Sequence, residues 1–178
     1  MATKATICKA LLNVANMDSH YYAEHNLTMA KHPSETDLRL MIRLIAFILN
    51  ADEDLVFTKG ISQDDEPDLW KKSLGGEIEL WIDLGQPDTK RIKKACGRSE
   101  QVIIYTYQEG MANAWWKSIE TSLTRFSNLK VVYIESEDDL EKLFKRAMNL
   151  QANICDQELT LTEDELSVLI KENIWMQS

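Results

Sequence analysis

Cysteine, proline and glycine are scarce in this chain, and long apolar runs are missing. The three cysteines, Cys8, Cys96 and Cys155, are odd in number and widely spaced, which excludes a disulfide framework and a CxxC zinc module alike. Reduced, mostly buried thiols are expected. Three histidines, His20, His25 and His32, stand five and seven residues apart, so no two share a helix face as a HExxH metal pair would. No apolar stretch approaches the ~20 residues that a membrane helix requires, and the opening Met-Ala-Thr-Lys-Ala-Thr-Ile lacks the apolar core of a secretory signal. A cytoplasmic protein without a membrane partner is the expectation. Leu74-Gly75-Gly76 leads into an apolar strand and is not followed by Lys and Ser or Thr, so a nucleotide-cradling loop is absent. No GxSxG elbow occurs, and no cysteine has a histidine nearby in sequence to activate it.

What is present suits one globular α/β domain over residues 1–178. The composition, 44 % apolar and 28 % charged, is that of a folded domain large enough to close its own core. The net charge of −9 argues against tight, unspecific binding of duplex nucleic acid. The charge is uneven, however. Residues 135–165 hold ten acids against three bases, whereas Lys90, Arg91, Lys93, Lys94 and Arg98 cluster within nine residues.

Period-two alternation of Thr6, Cys8, Ala10, Leu12 and Val14 against Ile7, Lys9, Leu11 and Asn13 predicts a strand over 4–14, paired as a hairpin with 21–30. Ser34 is the expected cap of a helix whose stripe is Leu38, Met41, Ile42, Ile45, Ile48 and Leu49, with Asp37 completing a capping box. A short strand at 55–58 leads to Gly60, and the acidic loop Asp64-Asp-Glu-Pro-Asp68 leads to a short amphipathic turn with Leu69 and Trp70. Next come a strand over 77–84, a helix from Pro87 to about Arg98, a strand over 102–107, a helix near 111–121, a strand over 130–134 and a helix near 136–148. The tail reads as short strands at 150–155, 158–162 and 166–172, the last of which also suits a helix. Alternation of this kind predicts a mixed central sheet flanked by helices.

Three constellations can carry chemistry. In the strand over 77–84 one face holds Ile78, Leu80, Ile82 and Leu84 and the other Glu77, Glu79, Trp81 and Asp83. Asp83 with Asp65 and Glu66 supplies the converging carboxylates that a hard divalent cation needs, and such a metal activates water at phosphorus. The structural alternative has Asp83 binding a turn amide and the loop acids preceding a helix. Glu79, roughly 13 Å along the strand at ~3.3 Å per residue, is expected to pair with a base. On the basic helix Lys93 flanks the buried stripe and Lys94 lies nearly opposite it; both also suit a solvated face. Glu35, Arg39 and Arg43 follow one another at four-residue spacing, which fits intrahelical ion pairing or a metal ligand followed by two phosphate-gripping forks. Arg91 is a third candidate for phosphate. Trp115 and Trp116 are expected in the core.

His32-Pro-Ser-Glu-Thr36, Phe57-Thr58 with Gly60, Asp64-Asp-Glu-Pro67 with Trp70, Leu80-Trp-Ile-Asp-Leu-Gly85, Pro87-Asp88 and Arg91-Ile-Lys-Lys-Ala-Cys96 together resemble the YaeQ family of bacterial proteins. The resemblance runs from Lys4-Ala-Thr-Ile to Leu150-Gln-Ala. It implies a variant of the PD-(D/E)xK, restriction-endonuclease-like fold, with an N-terminal hairpin and a C-terminal β extension added to the nuclease-like core. Asp83 then resembles the acid of the (D/E)xK strand, Glu66 or Asp65 the first acid, and Glu35 the helix glutamate of such nucleases. Gly85 stands where the motif has its lysine, and the resemblance makes Lys93, with Lys94 second, the substitute.

Two functions follow. One is a phosphodiesterase acting on nucleic acid, in which Asp83 and Glu66 or Asp65 hold Mg²⁺ or Mn²⁺, Lys93 assists the water and Arg39 grips a phosphate. The other is a degenerate nuclease fold that binds nucleic acid or a protein partner without catalysis. Oligomeric state is not legible, and a monomer is the default.

Overall fold

The computed structural model describes residues 4–59 and 65–178. The fold is mixed α/β, with ten strands, three α-helices and one 3-10 turn among the described residues. It resolves into two compact units, Met1–Ala51 with Glu135–Glu172, and Asp52–Ile134 with Asn173–Ser178.

In the first unit β1 (Thr6–Asn16) and β2 (Tyr21–Lys31) form the expected antiparallel hairpin, with Leu12 opposite His25. Cys8, Ala10, Leu12 and Val14 are buried, as the period-two alternation predicts. β1 also pairs in parallel with β8 (Ala147–Cys155), which continues antiparallel into β9 (Glu158–Glu163) and then β10 (Leu166–Gln177). The three tail strands are therefore present, and the last is not a helix. Asp156 and Gln157 take φ of 52° and 66°, the backbone of a tight hairpin turn. Both of their N–H groups donate to the Asp18 carboxylate at 2.8 Å.

α1 (Asp37–Leu49) is capped by Thr36, whose hydroxyl accepts the Arg39 N–H at 3.1 Å. Ser34, the expected cap, sits two residues too early and instead hydrogen-bonds His32 Nδ1 at 2.7 Å. Burial is continuous from Leu40 to Ile48, so the helix is immersed rather than striped. Phe47 meets the edge of His25 on β2 at 5.1 Å.

The helix expected over 136–148 is reduced to the 3-10 turn Leu140–Leu143. Met148, Leu150, Ala152 and Ile154 alternate with period two and are buried in β8. Ladder pairing with β1 outweighs a local helical tendency worth only tenths of a kcal/mol per residue.

In the second unit the strand order is β7 (Leu129–Ser136), β6 (Ser99–Thr106), β5 (Ile78–Leu84), β4 (Leu69–Lys72) and β3 (Leu55–Phe57). β5, β6 and β7 run parallel, joined by α2 (Thr89–Arg98) and α3 (Glu109–Leu123). β4 is antiparallel to β5 and β3 to β4. The segment at Leu69 and Trp70 is thus a strand, not an amphipathic turn. Flanking helices were expected on a central sheet; here α2 and α3 cover the same face. Ile92 and Ala95 from α2 and Ile119 and Leu123 from α3 pack on Trp81, Val102, Ile104, Leu129 and Val131. Trp81 is buried. Trp115 and Trp116 are only partly buried at the margin of this core.

Candidate functional site

The site is built where β5 ends. Leu69 of β4 pairs with Ile82 of β5, so the residue before β4, Asp68, lies beside the end of β5. The Asp68 N–H donates to the Ile82 carbonyl at 3.0 Å and the Leu84 N–H donates to Asp68 Oδ2 at 3.0 Å. Thr58 N–H donates to the Asp68 carbonyl at 3.1 Å. Asp68 is held from both sides and is buried, as is Asp83. Two buried carboxylates therefore lie near enough for the charge of Asp68 to act on Asp83.

The chain leaves β5 through Gly85, whose φ is +90°. A residue with a side chain is strained at that φ, which is a physical reason for glycine at this position. α2 then starts at Thr89, two residues later than expected. Its cap is Asp88, whose Oδ1 accepts the Arg91 N–H at 2.8 Å; Pro87 lies before the helix rather than at its first position. Long helical side chains lean toward the N-terminus, so Arg91 returns toward the end of β5. Its Nε donates to Asp83 Oδ2 at 2.8 Å, and its Nη2 donates to Asp83 Oδ1 at 3.0 Å and to the Glu66 carbonyl at 2.8 Å. This is a bidentate fork, the strongest geometry for an arginine and a carboxylate. Burial nevertheless outweighs the fork, and the carboxyl of Asp83 is held above its usual range, with the neighbouring Asp68 charge acting in the same direction.

The expected site residues distribute as follows. Asp83 is at the centre, and Glu66 reaches it through Arg91 by its main-chain carbonyl. Asp65 is exposed and ion-paired with Lys94, which holds its carboxyl below the usual range. Lys93 points into solvent; the group on the flank facing Asp83 is Arg91, on the opposite side of Ile92. Arg98 donates to the Asp65 carbonyl at 2.9 Å and lies 5.4 Å from the Trp81 ring. Glu79 pairs with Lys71 at 3.7 Å, as expected. Asp64 and Gly60 lie outside the described residues. Asp68 is the acid that sequence reasoning missed: it stands directly before the short strand Leu69-Trp-Lys-Lys72, which pairs with β5.

In the first unit Glu35 precedes α1 instead of lying on it. Arg43 Nε donates to Glu35 Oε1 at 2.8 Å, and its Nη2 donates to Oε2 and to the Ala30 carbonyl, each at 3.0 Å. Arg39 Nη1 approaches Oε1 at 3.9 Å. The Glu35 and Arg43 side chains are each 1 % exposed, so this fork has no surface to offer a phosphate. Arg39 is 17 % exposed.

A divalent cation implied by the nuclease resemblance is tested by these oxygens. The donors are of the right type, since hard cations take carboxylate and carbonyl oxygens. Their disposition does not fit: Arg91 holds both oxygens of Asp83, and a main-chain N–H holds Oδ2 of Asp68. Among the described residues the three metal-capable groups that converge are Asp18, Cys155 and Asp156, all exposed, and both oxygens of Asp18 already close the hairpin turn.

The profile of the YaeQ protein family matches residues 1–172. This chain belongs to the YaeQ family. YaeQ of Escherichia coli (strain K12) is 41 % identical over 179 residues, covering 99 % of both chains. The Salmonella typhi relative is likewise 41 % identical over 99 % of each. The crystal structure of YaeQ from Xanthomonas axonopodis pv. citri superposes with a TM-score of 0.93 at 43 % identity, covering 98 % of this chain and 99 % of that one. That of Pseudomonas syringae YaeQ gives 0.92 at 28 % identity, over 98 % and 97 %. Within the described residues no helix is long and apolar enough to cross a membrane.

Proposed function

We propose that this YaeQ chain is a nuclease-like scaffold that binds a phosphate-bearing polymer, single-stranded nucleic acid in the first instance, without cleaving it. The observation that carries the reading is the Arg91 fork on Asp83, which fills the oxygens a catalytic metal would need. On the PD-(D/E)xK reading, Pro67-Asp68 supplies the Pro-Asp pair, Asp83 the second acid, and Arg91 stands in for the lysine that Gly85 displaces. Lys90, Lys93, Lys94 and Arg98 are exposed on α2 beside this pair, giving a local basic surface on an acidic protein.

The test is binding of a labelled oligonucleotide in EDTA across a salt series, with a parallel multiple-turnover cleavage assay in Mg²⁺ or Mn²⁺. The reading expects metal-independent binding that weakens steeply with salt and weakens further in a Lys90→Glu/Lys93→Glu variant, with no cleavage. Turnover that disappears in Asp83→Asn overturns it.

A metal-dependent phosphodiesterase is the second reading, favoured by one observation: Asp83 at the end of β5 and Asp68 just before β4 are both buried carboxylates, donors of the type that a hard cation takes. On that reading Arg91 must first release Asp83. Turnover sensitive to Asp83→Asn and Asp68→Asn alike is its signature.

A further inference from the structure

The guanidinium of Arg91 already occupies an all-oxygen cradle, Asp83 Oδ1, Asp83 Oδ2 and the Glu66 carbonyl, at 2.8 to 3.0 Å. These donors come from β5 and from the segment before β4, so the chain assembles them from two elements, as cation sites are assembled. A second buried carboxylate, Asp68, lies just before β4, close enough for its charge to act on Asp83.

We infer that Arg91 is a resident cation that takes the place of a divalent ion, and that its side chain keeps such an ion off Asp83. The inference rests on the acid pair described above, but not on whether the protein binds an oligonucleotide. The geometry gives the exclusion a simple cause. Both Asp83 oxygens are engaged by the fork, and a second positive charge placed against the guanidinium is repelled. Arg91 is anchored by its main chain to the Asp88 cap, while its side chain is 27 % exposed against 2 % for Asp83. Truncating it opens the acids toward solvent rather than sealing a void. The vacated Asp83 then has two ways to lower its charge: it takes a proton, or it takes a hard cation.

Mn²⁺ titration by calorimetry on the wild type, Arg91→Ala, Arg91→Lys and Asp83→Asn/Arg91→Ala separates these outcomes. The wild type and Arg91→Lys are expected to show no specific site, Arg91→Ala one site per chain, and the double variant at least a tenfold loss of that affinity. Arg91→Gln serves in place of Arg91→Ala if the smaller side chain prevents folding, as judged by circular dichroism. The inference is overturned if the wild type binds Mn²⁺ as well as Arg91→Ala does, or if the folded Arg91 variants bind none and a proton fills the site instead. Failure to bind an oligonucleotide in EDTA overturns the binding function alone and leaves this metal result standing.

Discussion

The two units each contain an acid gripped by an arginine eight residues later, Glu35 with Arg43 and Asp83 with Arg91. Both are bidentate, and both arginines also reach a main-chain carbonyl. They differ in who is buried. In the first pair both side chains are sealed; in the second the acid is sealed and the arginine is not. A sealed pair contributes to the uniqueness of the fold and has nothing to exchange with solvent. An arginine that stands half in water over a buried acid can trade partners, and that asymmetry marks the second pair as the functional candidate.

Removing the inner arginine sharpens the contrast most. Arg43→Ala leaves buried Glu35 with only the longer Arg39 contact at 3.9 Å, and breaking a buried pair costs about 3–5 kcal/mol. Urea denaturation is expected to show that loss, with little recovered by Mn²⁺. Arg91→Ala is expected to cost less, roughly 1–3 kcal/mol, because water reaches the vacated acid; equal losses in the two variants would erase the distinction.

The pH dependence of stability tests the second pair more finely. Asp83 holds its proton more tightly in the folded protein than in the unfolded chain. Its protonation therefore favours folding at acid pH, and this contribution is lost as pH rises from the ordinary aspartate range through the raised folded value. Asp83→Asn is expected to flatten that stretch of the stability profile measured by denaturant melts from acid to neutral pH. An unchanged profile would show that Arg91 compensates Asp83 fully.

Much of this was legible in the sequence, for reasons that stay local. The alternation at Cys8, Ala10, Leu12 and Val14 marks β1, and the same period marks the tail strands. An acid in the apolar strand at Ile82-Asp83-Leu84 marks the site. What depends on tertiary pairing was not legible. Residues 136–148 carry a helical pattern, but Ser136 closes β7 and Ala147 and Met148 enter the β1–β8 ladder, which leaves room between them only for a 3-10 turn. Lys93 and Arg91 lie at equal angles on either side of Ile92, since each residue turns a helix by 100°, and only the docking of α2 decides which of them faces β5. Asp68 became a site residue through its register with β5, which is set by the β4–β5 hairpin.

The most direct test of the central claim is the nitrogen NMR signal of the Arg91 side chain in the wild type, observed while Mg²⁺ is added to millimolar concentration. If Arg91 closes the acid site, its Nε–H stays protected and its shift does not move. Loss of protection with saturable movement of the signal would show that the ion displaces the arginine, and would contradict the account.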